Sequence, residues 1–337
     1  MFYVSLLQFF YFIVVPIFFK HKLKLIYDTA ILIYSFKMNK IKLKMKFFNR
    51  SVKVKKEKPF DLLPDEMIIC LLSFVDVDSL LNCRIVCKRW RSFIDAHVFH
   101  EKASRGNEIV NNGKGYYSFS QIDSNTVRKL EFPWYVFYAI CKYDPFNRNL
   151  VQNHCGQDNF NHWALKNNTL SRFLWIIEQI PVGADPLPDD PDFDGHTSCF
   201  VSTYRLCSKC QTITLKNHGL TSTLMKLLKP DILVSEWYSG RFDCGCKYAF
   251  RANVHDSTER VLEQHNYNDN LLQGQANKWT KISHIFKNQS NASSISIYHA
   301  GVDTQYWSGH YGSKVSGTVL KVMLPIKLKC TESRIKI

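Results

Sequence analysis

Residues 231–255 read DILVSEWYSGRFDCGCKYAFRANVH, and this stretch decides the fold class of the larger part of the chain. DILVSEWY (231–238) and CGCKYAFRANV (244–254) are strand-length and rich in Val, Ile and aromatic residues, with Gly and Asp between them. Residues of the first kind suit a pleated, half-buried surface, and Gly and Asp punctuate it with turns. Working outward, the same texture recurs in FLWIIEQI (173–180), CFVSTY (199–204), QTITL (211–215), WTKISHIF (279–286), SISIYHA (294–300) and GTVLKVMLPI (317–326). Eight such strands within residues 146–330 predict an antiparallel β-sandwich. LTSTLMKLLKP (220–230) is the exception: Leu220, Leu224, Leu227 and Leu228, closed by Pro230, predict a short helix over a sheet edge.

Toward the N-terminus the apolar spacing turns helical. Within residues 59–105, Ile68, Leu71, Leu72 and Val75 form one stripe, and Cys83, Val86, Cys87, Trp90 and Ile94 form another. Pro64 followed by Asp65 and Glu66 opens the first helix, because proline lacks a donor that is unused there and carboxylates suit the positive end of the dipole. Asp78 or Ser79 is the expected cap of the next. A unit this small cannot bury both stripes alone, so it is expected to complete its core with another protein. Residues 106–145 connect the two regions. Their first part is rich in Gly, Asn and Ser, and EFPWYVFYAICKYDPF (131–146) then packs seven aromatic residues into sixteen, which predicts a buried helix.

Residues 1–58 carry thirteen Lys and Arg against Asp28 and Glu57, so most of the formal +15 lies there and the other 279 residues hold only +4. A nucleic-acid-binding body would keep its charge on the folded part, which argues against that partner. Residues 2–19, FYVSLLQFFYFIVVPIFF, are uncharged and approach the length of a membrane span, though Gln8 and Pro16 interrupt them. Two readings stand: a membrane anchor that leaves the Lys-rich flank and the rest in the cytosol, or a disordered or artefactual leader, since Met38 offers a second start. Residues 331–337 read as a tail. Eleven cysteines lack the density and spacing of a disulfide scaffold, and reduced thiols are expected.

The helical segment resembles the F-box. Leu63-Pro64-x-Glu66, Leu80-Leu81 and Val86-Cys87-Lys88-x-Trp90 follow that pattern in order and spacing. The resemblance implies docking on the S-phase-kinase-associated adaptor and cullin of an SCF ubiquitin ligase, with Leu63, Pro64, Ile68, Leu71, Val86 and Trp90 as contacts. For any one of these, Trp90 above all, packing inside the F-box itself is the competing reading.

The strand-rich region is similar to the F-box-associated domain of the sugar-recognising F-box proteins. The likeness rests on Asn147-Arg148-Asn149-Leu150 with Asn153-x-Cys155-Gly156, on Asp231 to Tyr238, on Asp243-Cys244-Gly245-Cys246, and on Asp303-Thr304-Gln305-Tyr306-Trp307-x-Gly309-x-Tyr311-Gly312. It implies an α+β chain, a small helical F-box followed by a jelly-roll, galactose-binding-like sandwich over 146–330. It further implies a cytoplasmic substrate receptor, acting near the cytosolic face of the ER, that presents high-mannose N-linked glycoproteins for ubiquitination and ER-associated degradation. Phe200, Tyr306 and Trp307 would carry the inner N-acetylglucosamine pair, with Glu236 as a further hydroxyl contact. Ser308 departs from the pattern, standing where one glycan-binding member has lysine and other members have a small residue. The alternative is an F-box adaptor that reads a protein surface without glycan.

A pyranose offers a face of C–H bonds to an indole or phenol ring while its hydroxyls need polar partners, so Tyr306 and Trp307 in a loop between strands fit that chemistry. No catalytic signature accompanies it: Gly-x-Ser-x-Gly, His-Glu-x-x-His and phosphate-loop motifs are all missing from the sequence, so no enzyme activity and no cofactor are expected. Cys207-x-x-Cys210 with Cys244-x-Cys246 has imperfect spacing for zinc, and no metal site is expected. PLPDDPDFDGH (186–196) reads as a solvated, turn-rich loop, with a calcium contact as its alternative.

Overall fold

The computed structural model describes residues 63–103, 133–166 and 175–323. The leader read over 1–58, the Gly-rich part of the connector and the tail at 331–337 lie outside the described residues. Among the described residues no helix is long and apolar enough to cross a membrane. The chain divides into two compact units, with residues 63–103 and 133–142 in one and 143–323 in the other.

In the first unit, helices α1 (Asp65–Ser73), α2 (Val77–Cys83), α3 (Lys88–Phe93) and α4 (Trp134–Tyr143) surround one apolar core. Pro64 is the N-cap of α1, as its chemistry dictates. Asp76, not Asp78 or Ser79, caps α2: the helix opens two to three residues earlier than its polar pair suggested, and Asp76 Oδ1 accepts the Ser79 amide at 2.9 Å. After α3 the chain continues as a single π-helical turn, Ile94–Val98. Ile68, Leu72, Val75, Leu80, Ile94, Val98 and Phe99 are buried together with Val136, Phe137, Ala139 and Ile140 of the aromatic-rich helix. The Trp134 ring lies 5.8 Å from that of Phe99, and the Arg84 guanidinium sits 3.6 Å from its centroid while pairing with Asp95.

The second unit is a β-sandwich of two antiparallel five-stranded sheets, in agreement with the strand pattern. Sheet I has the order β1 (Ala164–Lys166), β4 (Cys207–Thr214), β9 (Ser294–Asp303), β6 (Cys246–His255) and β7 (Val261–Leu271). Sheet II has the order β2 (Trp175–Glu178), β3 (Cys199–Ser202), β10 (Lys314–Met323), β5 (Asp231–Ser239) and β8 (Thr280–Phe286). The expected helix is α5 (Ser222–Leu228), capped by Thr221, with Leu224, Met225 and Leu228 buried. β1 and β7 were not among the eight expected strands. VLEQHNYNDNL carries no apolar stripe because β7 is an edge strand whose outward side faces water.

Between the sheets lies a polar cluster closed off from solvent. Glu236 on β5 accepts from Tyr248 Oη of β6 (2.9 Å) and Thr318 Oγ1 of β10 (3.3 Å), and His299 Nδ1 of β9 lies 2.7 Å from it. Lys209 Nζ of β4 is 3.2 Å from the same ring nitrogen and sits 3.5 Å and 3.8 Å from the centroids of Trp163 and Phe200. Burial pushes Lys209 down to about 7 and His299 down to about 4. The cluster therefore ties the two layers together at the cost of desolvating them.

The folded value of His299 lies below its unfolded value of about 6.5, so the unfolded chain takes up the proton first and stability falls as pH drops from 6.5 toward 4. Denaturant titrations of wild type and His299→Gln across that window are expected to differ in slope by up to about 1.4 kcal/mol per pH unit, with the variant flatter. Parallel slopes would contradict the buried, neutral imidazole.

Candidate functional site

The turns β3–β4 (203–206), β5–β6 (240–245), β7–β8 (272–279) and β9–β10 (304–313) meet at one end of the sandwich. Backbone bonds stitch them: Thr304 N donates to Gly245 O (2.9 Å), Asp303 N to Thr203 O (3.1 Å), Gly312 N to Ser202 O (3.1 Å) and Gly274 N to Phe242 O (2.8 Å). Gln305 Nε2 donates to Gln273 Oε1 at 3.0 Å. The Asp243–Cys246 and Asp303–Gly312 motifs, far apart in sequence, thus form one surface.

Within the β9–β10 turn, buried Asp303 accepts the Tyr306 amide through Oδ1. That bond holds Tyr306 at φ 57°, a left-handed conformation that a residue with a side chain adopts only under constraint. Gly309, at φ 138°, completes the reversal, and its carbonyl accepts from Thr203 Oγ1. The result thrusts two rings outward, Tyr306 at 75% and Trp307 at 42% exposure, with Ser308 exposed beside them. Trp307 is braced from behind: Tyr311 meets it edge to face at 5.5 Å and 87°. The Arg241 guanidinium lies 4.8 Å from the Tyr311 centroid and forks onto Asp243 at 2.8 and 2.9 Å, which holds the Asp243 carboxyl below its usual range. Two outward rings on a rigid turn, with amides and hydroxyls around them, make a surface for a ligand that is apolar on one face and polar at its rim.

Of the residues expected on this surface, Tyr306, Trp307 and Ser308 are there and Phe200 and Glu236 are not. Phe200 and Glu236 are fully buried, because strand alternation turns both into the space between the sheets, where they belong to the Lys209–His299 cluster. Half-buried Tyr204 follows Thr203, which bonds the β9–β10 turn, and stands two residues past the end of β3, where the sequence pattern had continued the strand.

The F-box contacts divide similarly. Ile68 (1% exposed) and Trp90 (8%) pack inside the helical unit, which removes them from any outward-facing contact set. Pro64 and Val86 are exposed, and Leu63 and Leu71 are half-buried. Ile85, at 84% exposure, and Phe74 join this outward apolar group and were not singled out by the helical spacing. Among the described residues, Cys207, Cys210, Cys244 and Cys246 included, no cluster of three or more His, Cys, Asp or Glu is placed to hold an ion. Burial drives the Cys207 and Cys246 thiols up to about 12. In the acidic loop, buried Asp192 pairs with Lys281 at 2.6 Å.

Residues 141–322 match the F-box associated region family, and residues 60–102 match the F-box domain. Similar relatives include F-box only protein 6 of Rattus norvegicus, 30% identical over 77% of this chain and 85% of that protein. F-box only protein 17 of Homo sapiens is 30% identical over 78% of this chain and 92% of its own length, and human F-box only protein 44 is 30% identical over 78% and 96%. Among solved structures, the CBM22-1 xylan-binding domain from Paenibacillus barcinonensis Xyn10C covers 54% of this chain and 99% of its own, at 9% identity and a TM-score of 0.32.

A Cβ on Gly312 would collide with Ser202 Oγ and lie 3.0 Å from Ser202 O and 3.1 Å from Asp303 N. Gly312→Ala is therefore expected to cost about 1–3 kcal/mol, the scale of overpacking, in a denaturant titration of the sandwich. An unchanged midpoint would show that the turn is not clamped as described.

Proposed function

The chain belongs to the F-box only proteins that carry an F-box associated region, and on that premise we propose that it is the substrate receptor of an SCF-type ubiquitin ligase, binding N-linked glycoproteins through the sandwich tip. The helical unit offers Pro64, Leu71, Phe74, Ile85 and Val86 as apolar surface for the S-phase-kinase-associated adaptor, which carries the cullin. The tip offers Tyr306 and Trp307 to the inner N-acetylglucosamine pair of a high-mannose chain, with Tyr204 nearby. Function is then delivery without chemistry: a tethered client meets the ubiquitin-charged enzyme at high effective concentration. Retrotranslocated or damaged glycoproteins at the cytosolic face of the ER are the client class this implies.

One observation carries the glycan reading: Trp307 is outward, yet its orientation is fixed by Tyr311 and through it by Arg241. A pre-aligned indole loses little freedom when a sugar ring lies on it. A second reading, an adaptor for a protein surface, draws support from the exposed Leu206, Phe242 and Leu272 on the same turns and from the absence of a cation at Ser308. A glycan array separates the two, since folded protein that ignores every N-glycan core would favour the second.

Trp307→Ala is expected to weaken chitobiose binding in titration calorimetry by about 1–3 kcal/mol, the scale of uncovering one such side chain. Equal affinities would remove Trp307 from the site. In the helical unit, Ile85→Asp together with Val86→Asp is expected to abolish co-purification with the ligase adaptor while leaving the helical circular dichroism intact, because both side chains face solvent.

A further inference from the structure

The outward side of sheet I carries an ordered pattern that the tip does not explain. Strand register sets its rungs across β9, β6 and β7: Ser296–Asn253–Gln264, Tyr298–Arg251–Asn266, Ala300–Ala249–Asn268 and Val302–Lys247–Asn270. Four carboxamides, Gln264, Asn266, Asn268 and Asn270, therefore stand in line on alternate residues of β7, all exposed on one face. The carboxylates of β7 turn the other way, Asp269 accepting from Tyr238 Oη at 2.7 Å and Glu263 from Gln289 at 2.8 Å.

At the third rung both β6 and β9 present alanine, and the floor drops. The hollow has a volume of about 270 Å³ and is lined by Ala249, Phe250, Arg251, Asn266, Asn268 and Tyr298. Its walls are fixed in advance. Asn266 Oδ1 accepts from Arg251 Nε (3.0 Å) and Gln264 Nε2 (2.8 Å), and the Arg251 guanidinium lies 5.7 Å from the Tyr298 centroid. A ring beside a row of groups that each donate and accept suits a polyhydroxylated ligand, and the only charged groups on these rungs are the cations Lys247 and Arg251. The guanidinium is already engaged, which lowers its availability to an anion.

We propose that this face is a second saccharide site, centred on the hollow between Ala249, Asn268 and Tyr298, and that it takes hexopyranose residues. Resting on the glycan reading of the tip for the identity of the sugar, the ligand is the mannose part of a glycan rooted at Trp307. The hollow lies three residues along β6 from the Cys246–Asp303 pair at the tip end, about 10 Å at the usual strand rise.

The test uses the whole chain and two probes, a branched mannose oligosaccharide without N-acetylglucosamine and chitobiose alone. Asn268→Lys and Tyr298→Ala are each expected to weaken the mannose probe about five-fold or more, the equivalent of one lost hydrogen bond, while leaving chitobiose unchanged. Trp307→Ala should do the reverse. Asn268→Lys is fully outward, so it reports on binding even if Tyr298→Ala perturbs folding. A mannose probe that fails to bind wild type, or binds it and both face variants alike, overturns the second site. So does salt-dependent capture of a sulfated polymer in place of neutral sugar. Loss of chitobiose binding alone, with the mannose probe still sensitive to Asn268→Lys, would sink the tip reading and spare the face.

Discussion

A glutamate shut away from water between two sheets is the constraint around which the sandwich is built. Glu236 sits on the middle of β5 and is satisfied by groups from β6, β9 and β10, so the sheets stack in the one relative position that brings Tyr248, His299 and Thr318 to it. Removing a partner from such a group strands it in a medium that cannot solvate it, a penalty of about 3–5 kcal/mol, whereas an apolar pair would tolerate sliding. The cluster thus gives the two layers a defined register at some expense in stability. Trp163 and Phe200 roof the Lys209 ammonium and keep the interior closed.

That register is what places the tip. Ser202 ends β3, Asp303 ends β9 and Cys246 begins β6, and the turns beyond them meet only because their strands are locked side by side. Asp303 translates the position of the core into the direction of two rings, through a single carboxylate oxygen on the Tyr306 amide. The ladder Asp243–Arg241–Tyr311–Trp307 supplies the remaining restraint from the β5–β6 turn. Tip and scaffold are continuous, because the turns that form the tip are tied to one another and to the strand ends by backbone bonds.

Much of this was legible in the residues. Apolar strand runs mark the layered fold, and the Pro64–Asp65 start marks the first helix, because burial on one side imposes a period and a helix end imposes a chemistry. β7 was not legible: an edge strand with amides outward has no apolar stripe to betray it. Phe200 and Glu236 lie between the sheets and not on the tip for a related reason. A one-residue difference in strand phase decides whether an aromatic or an acid points to water or to the core, and local likeness does not fix that phase. Tyr306 and Trp307 were legible because a dense aromatic–glycine turn between two strands has few other places to go. Ile85 was missed because it falls outside the helical stripes, in the turn between α2 and α3.

The left-handed backbone at Tyr306 has a consequence for how such a chain changes over time. A glycine there would relieve about 1 kcal/mol or more of local strain and leave every bond of the turn in place. At this one position, then, an easier backbone and an outward ring exclude each other: the change that would relax the turn is also the one that strips the ring from its outermost point.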